Sequence, residues 1–144
     1  MVTDMRIEHE IHIAHEPAEV FTVLSDPERL SAWQPNTVAV RRQRQGPLGV
    51  GERFEEVHKA LGRELPSTVE VVAYDAPRLF ALRIVHGAMP LDGRWELEPS
   101  RGGTRLRFVA EGDVHGVMRL AKPLVARQFR GYHKRLKRLV ESGS

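Results

Sequence analysis

The chain predicts an α+β domain in which a curved antiparallel sheet wraps around one long C-terminal helix. Three observations carry this prediction. A strand with one apolar face opens the chain at Met5 to Ala14, two short helices follow before Trp33, and after a run of hairpins apolar positions recur at helical spacing from Val114 to Val140. A sheet that curls around a rod without filling it leaves a hollow, so the same order of elements marks a place for a guest molecule.

In the first strand Ile7, His9, Ile11 and Ile13 share one face while Arg6, Glu8, Glu10 and His12 share the other, which is the period of a half-buried strand. Glu16-Pro17 opens a short helix with Val20, Phe21 and Leu24 on its apolar side, because proline suits the first helical turn. Asp26 caps a second short helix that runs from Pro27 to about Trp33 and ends before Pro35. Neither is long enough to stand alone, so both must plug one end of something larger. Strands are expected at Val38 to Gln43, Glu52 to Lys59, Ser67 to Tyr74, Arg78 to His86, Leu91 to Glu98 and Thr104 to Gly112, separated by turn residues at Leu61-Gly62, Asp75-Ala76-Pro77, Gly87 to Pro90 and Pro99 to Gly103. The glycines of Gly46-Pro47-Leu48-Gly49-Val50-Gly51 read as a turn, since the Lys-Ser/Thr ending of a phosphate loop is missing. In the last helix Val114, Val117, Met118, Ala121, Val125, Phe129, Tyr132, Leu136, Leu139 and Val140 form the buried face. Pro123 either kinks that helix or begins its main segment.

At 144 residues the chain suits a single domain spanning 1–144 and can build a core without staples. The absence of cysteine excludes disulfides, thiolate metal sites and cysteine nucleophiles, and fits a reducing compartment; the cytoplasm is the expected location. The opening MVTDMRIEHE carries acidic residues where a signal peptide needs an apolar run, and no stretch reaches the ~20 apolar residues of a membrane span. The formal charge of +3 gathers at the end. Arg119, Lys122, Arg127, Arg130, Lys134, Arg135, Lys137 and Arg138 stand there with no acidic residue among them. They read first as the wet face and last turns of a helix, so a nucleic-acid partner is not expected, although an RNA- or protein-docking face is a third reading.

Ile13-Ala14-His15-Glu16-Pro17-Ala18-Glu19-Val20-Phe21, Leu24 to Leu30 and Trp33-Gln34-Pro35 resemble the opening of the START-like (SRPBCC) helix-grip superfamily, particularly its polyketide cyclase/dehydrase and lipid-transport branch. Val71 to Leu79 is similar to that group's strand-turn segment, Gly103-Thr104-Arg105-Leu106 to its last strand, and Leu136 to Glu141 to its helix end. The likeness covers nearly the whole chain, but its motifs record folding and none is a catalytic signature. It implies a seven-stranded antiparallel sheet gripping the terminal helix, with an internal cavity between sheet, helix and the two small helices.

Strand parity indicates which side chains line that cavity. Thr104, Leu106, Phe108 and Ala110 point in, as do Val69, Val71, Ala73, Leu91, Gly93, Trp95 and Leu97. On the strand from Arg78 the better inner set is Phe80, Leu82 and Ile84 followed by His86; a one-residue slip brings in Arg83 and turns His86 out. On the strand from Glu52 either Glu55 or the Glu56/His58 pair faces inward, and an inward carboxylate beside histidine is the best acid/base grouping in the chain. His9 is the polar member of an otherwise isoleucine face, a core-edge histidine or a ligand donor. Tyr132, with Gln128 one turn before it, offers a hydroxyl and an amide.

The leading expectation is a domain that binds a hydrophobic or aromatic small molecule, with Trp33, Phe80, Leu82, Trp95, Phe108, Met118, Val125, Gln128, Phe129 and Tyr132 as the contacts. The rival is a cyclase- or aromatase-like enzyme whose acid/base groups come from His9, Tyr132, Glu55, Glu56, His58, Arg83 and His86. No cofactor is expected and no metal, since the histidines lack zinc-ligand spacing; no Gly-x-Ser-x-Gly elbow is present. A homodimer is left open.

Overall fold

The computed structural model describes residues 5–87, 90–113 and 116–143, with the side chains of 116–118 outside the description. The expected helix start at Val114, the helix-face residue Val117 and the wall residue Met118 therefore lie outside the described residues or side chains. Strand β1 (Met5–Ile13) leads into α1 (Pro17–Leu24), a 3-10 turn (Pro27–Arg29) and α2 (Leu30–Trp33). The meander follows as β2 (Thr37–Arg41), β3 (Arg53–Ala60), β4 (Arg63–Asp75), β5 (Leu79–His86), β6 (Asp92–Ser100) and β7 (Gly103–Gly112). A 3-10 segment (Gly116–Ala121) then runs into α3 (Lys122–Ser142).

The strands form one antiparallel sheet in the order β1-β7-β6-β5-β4-β3-β2. Sequence neighbours pair throughout the meander, and only β1 crosses to the far edge, where it lies beside β7 over its whole length, from Met5↔Gly112 to Ile13↔Thr104. The crossover is filled by α1 and α2, which is why those short helices end up closing one end of the sheet. Lys137 and Glu141 of α3 tie that rod to β1: the Lys137 ammonium donates to the His12 carbonyl at 2.7 Å, and Glu141 accepts the Ala14 N–H at 2.8 Å. Two hairpins close through two residues of positive φ each, Leu61-Gly62 and Arg101-Gly102. The tight turn at Leu61-Gly62 lets β4 start at Arg63, four residues before the expected Ser67, with pairing from Ala60↔Arg63 onward. Asp26 caps the 3-10 turn by accepting the Glu28 N–H at 3.0 Å, and Pro123 sits in the first turn of α3, so it begins the main segment.

The apolar parity holds along β1, β6 and β7: Ile7, Ile13, Trp95, Leu97, Leu106, Phe108 and Ala110 are all buried. On β4 and β5 two bulges overturn part of it. A register shift between Val71 and Ala73 pairs Ala73 with Ala81 and Tyr74 with Phe80, so Tyr74, and not the expected Ala73, joins the core against Phe21 and Phe80. A second shift pairs Thr68 with His86 and Val69 with Ile84, leaving Val85 as the extra residue and turning His86 to the exposed side. The outer face is tied by charge: Arg107 bridges Glu8 of β1 at 2.7 Å and Glu96 of β6 at 3.0 Å. These two carboxylates raise the Arg107 pKa, and Arg107 with Arg6 lowers that of Glu8.

Candidate functional site

Between the sheet, α3 and the link from α2 to β2 lies a cavity of about 270 Å³. Its walls are apolar and come from separate elements: Leu82 and Ile84 of β5, Trp95 of β6, Phe108 of β7, Val125 and Phe129 of α3. Gly93, one pleat before Trp95 on the same face, also lines it. A Cβ there would stand at 3.4 Å from Trp95 and 3.5 Å from Phe108, so the missing side chain is space left to the cavity.

The cavity is polar where β3, β4, α3 and the α2–β2 link converge. Glu56 and His58 point inward from β3, since residues two apart share a face. Their side chains meet, His58 Nε2 at 3.0 Å from a Glu56 carboxylate oxygen. Glu56 is 7% exposed, and Ser67 stands opposite it on β4. From α3 come Tyr132 and Gln128, one helical turn apart, and from the link Gln34 and Asn36. Burial pushes the Tyr132 phenol up to about 12, with the Glu56 charge acting in the same direction and hydrogen bonding to Asn36 and Gln128 opposing it. Near neutral pH Tyr132 is therefore a proton-bearing donor and no base. The arrangement offers a carboxylate acceptor and a phenolic donor to the polar part of a guest.

A second polar chain lies behind the Trp95 wall. The Trp95 indole N–H donates to His133 Nε2 at 2.9 Å, and His133 Nδ1 lies 2.7 Å from His9 Nε2. An indole only donates, so a neutral His133 carries its proton on Nδ1 and gives that hydrogen bond to His9. His9 must then hold its own proton on Nδ1, a buried atom with no partner among the described residues. His133 is 1% exposed, and burial, with a smaller contribution from His9, pushes its pKa down to about 3. Burial and then Arg130 lower that of His9.

Of the sequence candidates, Leu82, Trp95, Phe108, Val125, Gln128, Phe129, Tyr132, Glu56 and His58 border the cavity. Trp33 and Phe80 do not. Trp33 is packed edge-on to Trp95 and beside His133, and Phe80 sits among Phe21, Tyr74 and Trp95. His9 is half-buried against His133, away from the cavity lining. Glu55 pairs with Arg41 at 2.9 Å on the outer face, Arg83 is exposed near Asp92, and His86 is exposed, so these three stand apart from the polar end.

Sequence reasoning missed His133, Gln34, Asn36 and Ser67. For His133 a signal existed: Phe129, His133, Leu136 and Val140 follow at spacings of four, three and four, the period of a buried helix stripe. The linker amides carry no periodic signal, because only the chain reversal into β2 brings them to α3. Arg130, Lys134 and Arg138 are exposed on α3. Among the described residues no three His, Asp or Glu side chains cluster as a metal site, and no helix is long and apolar enough to cross a membrane.

A seven-stranded antiparallel sheet gripping a C-terminal helix, with two short helices after the first strand, defines the helix-grip class. The chain matches the family described as polyketide cyclase / dehydrase and lipid transport over residues 4–142, and it belongs to that family. Solved structures agree on the fold. Protein TTHA0849 from Thermus thermophilus is 18% identical, with a TM-score of 0.79 over 97% of this chain and 99% of that one. A START superfamily protein from Mycobacterium smegmatis is 15% identical at a TM-score of 0.79, covering 96% and 99%, and Ara h 8.0201 is 17% identical at 0.78, covering 96% and 98%. No curated protein matches the chain in sequence.

Proposed function

We propose that this chain binds a compact hydrophobic or aromatic small molecule, lipid- or polyketide-like, in its internal cavity. The observation that carries this reading is the cavity itself: about 270 Å³ with apolar walls and a single polar end. Binding sites for small molecules have that composition, and this volume, just below the common range of roughly 300–1,000 Å³, suits a ligand of one or two rings. Trp95 stands in the wall with Trp33 packed 6.4 Å behind it, so the joint tryptophan fluorescence reports occupancy. Native mass spectrometry of the purified protein, followed by titration with hydrophobic and aromatic compounds, tests the reading. Saturable tryptophan quenching together with a concentration-dependent rise in melting temperature is the expected result. Silence in both, across compounds that fit the volume, removes the proposal.

One observation favours a second reading, an enzyme of the cyclase or dehydrase kind: Glu56, His58 and a protonated Tyr132 meet at one end of the same cavity. In that reading the Glu56 carboxylate takes a proton from carbon between two carbonyls of a poly-keto chain. Tyr132 donates a hydrogen bond to the carbonyl oxygen that gains negative charge as the new carbon–carbon bond forms. Turnover of a poly-keto substrate that survives unchanged in both Glu56→Gln and Tyr132→Phe removes it.

A further inference from the structure

The polar end also selects among guests by charge. On the reading that the cavity binds a small molecule, we infer that its guest is uncharged and presents a phenolic or enolic hydroxyl to Glu56 and Tyr132, and that apolar carboxylates such as fatty acids are rejected. Among the described residues the titratable groups bordering the cavity are Glu56, His58, Lys59 and Tyr132. Glu56 is the one deep inside; Lys59 is exposed at the end of β3, beside the hairpin. A guest carboxylate seated at this end would lie beside a buried carboxylate, where water screens poorly, and the repulsion is enough to lower affinity about tenfold or more. A guest ammonium fares little better. One Glu56 oxygen is already engaged by His58 at 3.0 Å, and the ammonium would give up its own strong hydration to reach the other.

A hydroxyl meets neither obstacle. It donates to the Glu56 carboxylate and accepts from the Tyr132 hydroxyl, so two polar groups are satisfied and no charge is added to the interior. The flat faces of Trp95, Phe108 and Phe129 suit a ring attached to that hydroxyl, since aromatic side chains pack best on other aromatic surfaces. Of the two ligand kinds in the family description, the polyketide-like one fits this end and an ionised lipid does not.

Three probes of one shape read the selection: 2-naphthol, 2-naphthoate and 2-naphthylmethylammonium, titrated at neutral pH by tryptophan quenching and calorimetry. The expected result is naphthol bound about tenfold or more tighter than either ion, with Glu56→Gln closing most of the gap between naphthol and naphthoate. Comparable affinities for naphthol and naphthoate in the unmodified protein overturn the inference while leaving the cavity reading intact, as does an unchanged ratio in a folded Glu56→Gln. The unmodified protein decides the question without the variant. Binding of none of the three, with no small molecule retained in the native mass spectrum, overturns the cavity reading and this inference with it.

Discussion

Tyr132 and His133 are neighbours in sequence, yet they serve opposite halves of the interior. Tyr132 borders open space with Asn36, Gln128 and Glu56, whereas His133 is locked into a filled region by Trp95, His9, Trp33 and Phe108. Both halves hold polar groups but use them differently. In the packed half three of the four histidine nitrogens are committed to another side chain of the protein, and only His9 Nδ1 has no partner among the described residues. In the hollow half Glu56, Ser67 and Tyr132 border the empty volume, and Gly93 withholds a side chain from it. Whether a region of this sheet becomes packed core or open cavity is thus decided by what fills the space opposite Trp95, a ring on one side and nothing on the other.

The packed half is most sensitive at His133. His133→Ala removes a buried ring, strands the Trp95 N–H and deprives His9 of its donor, and is expected to cost about 3 kcal/mol or more in urea unfolding. A loss below about 1 kcal/mol would mean that the packed half does not depend on this chain of hydrogen bonds. The same residue sets a pH dependence. Its folded pKa of about 3 lies below the unfolded value of 6.5, so the unfolded chain takes up the proton first as pH falls. Stability is full above pH 6.5 and declines toward pH 3, with a limiting slope of about 1.4 kcal/mol per unit. Between about pH 6.5 and pH 5 the effect is about 2 kcal/mol. His9 acts in the same direction, while the lowered carboxylates Glu8 and Glu141 add their losses only at lower pH. Flattening of this slope in His133→Ala assigns it.

Tyr132→Phe should do the reverse of the change next door: stability within about 1 kcal/mol of the parent, and affinity for naphthol lower by about fivefold, the worth of one hydrogen bond. A fall in stability without a fall in affinity would place Tyr132 with the packed half. The smallest change in stability is expected at Gly93. Alanine there meets Trp95 and Phe108 at ordinary contact distances, so Gly93→Ala should raise stability by roughly 0.5–1 kcal/mol while weakening ligand binding, and Gly93→Leu should block the cavity. Unaltered binding by Gly93→Leu would move the guest away from this wall.

How far the sequence carried depended on the element. On β1, β6 and β7 the alternation from Ile7 to Ile13, Trp95 to Leu97 and Thr104 to Ala110 marked the inner face, because those strands pair without interruption. On β4 and β5 the same rule failed at Ala73 and His86, since each bulge inserts one residue and reverses the parity beyond it. β3 offered two registers of equal appeal, and pairing of Glu56 with Ser67 turned the Glu56/His58 pair inward. His133 was legible in principle from its place in the Phe129–Val140 stripe, but tyrosine beside it competes for the same helix face.

The amino-acid order marked the strands, the short helices, the terminal helix and much of the apolar inner face, because local periodicity and turn chemistry act within a few residues and need no partner to be read. Long-range contacts bring Glu56, His58, Tyr132, Gln128 and Asn36 to one end and close the other with His9, Trp95 and His133. Those meetings join residues as distant along the chain as His9 and His133, and long-range strand pairing and a linker reversal set their geometry, so no periodicity of the sequence records them.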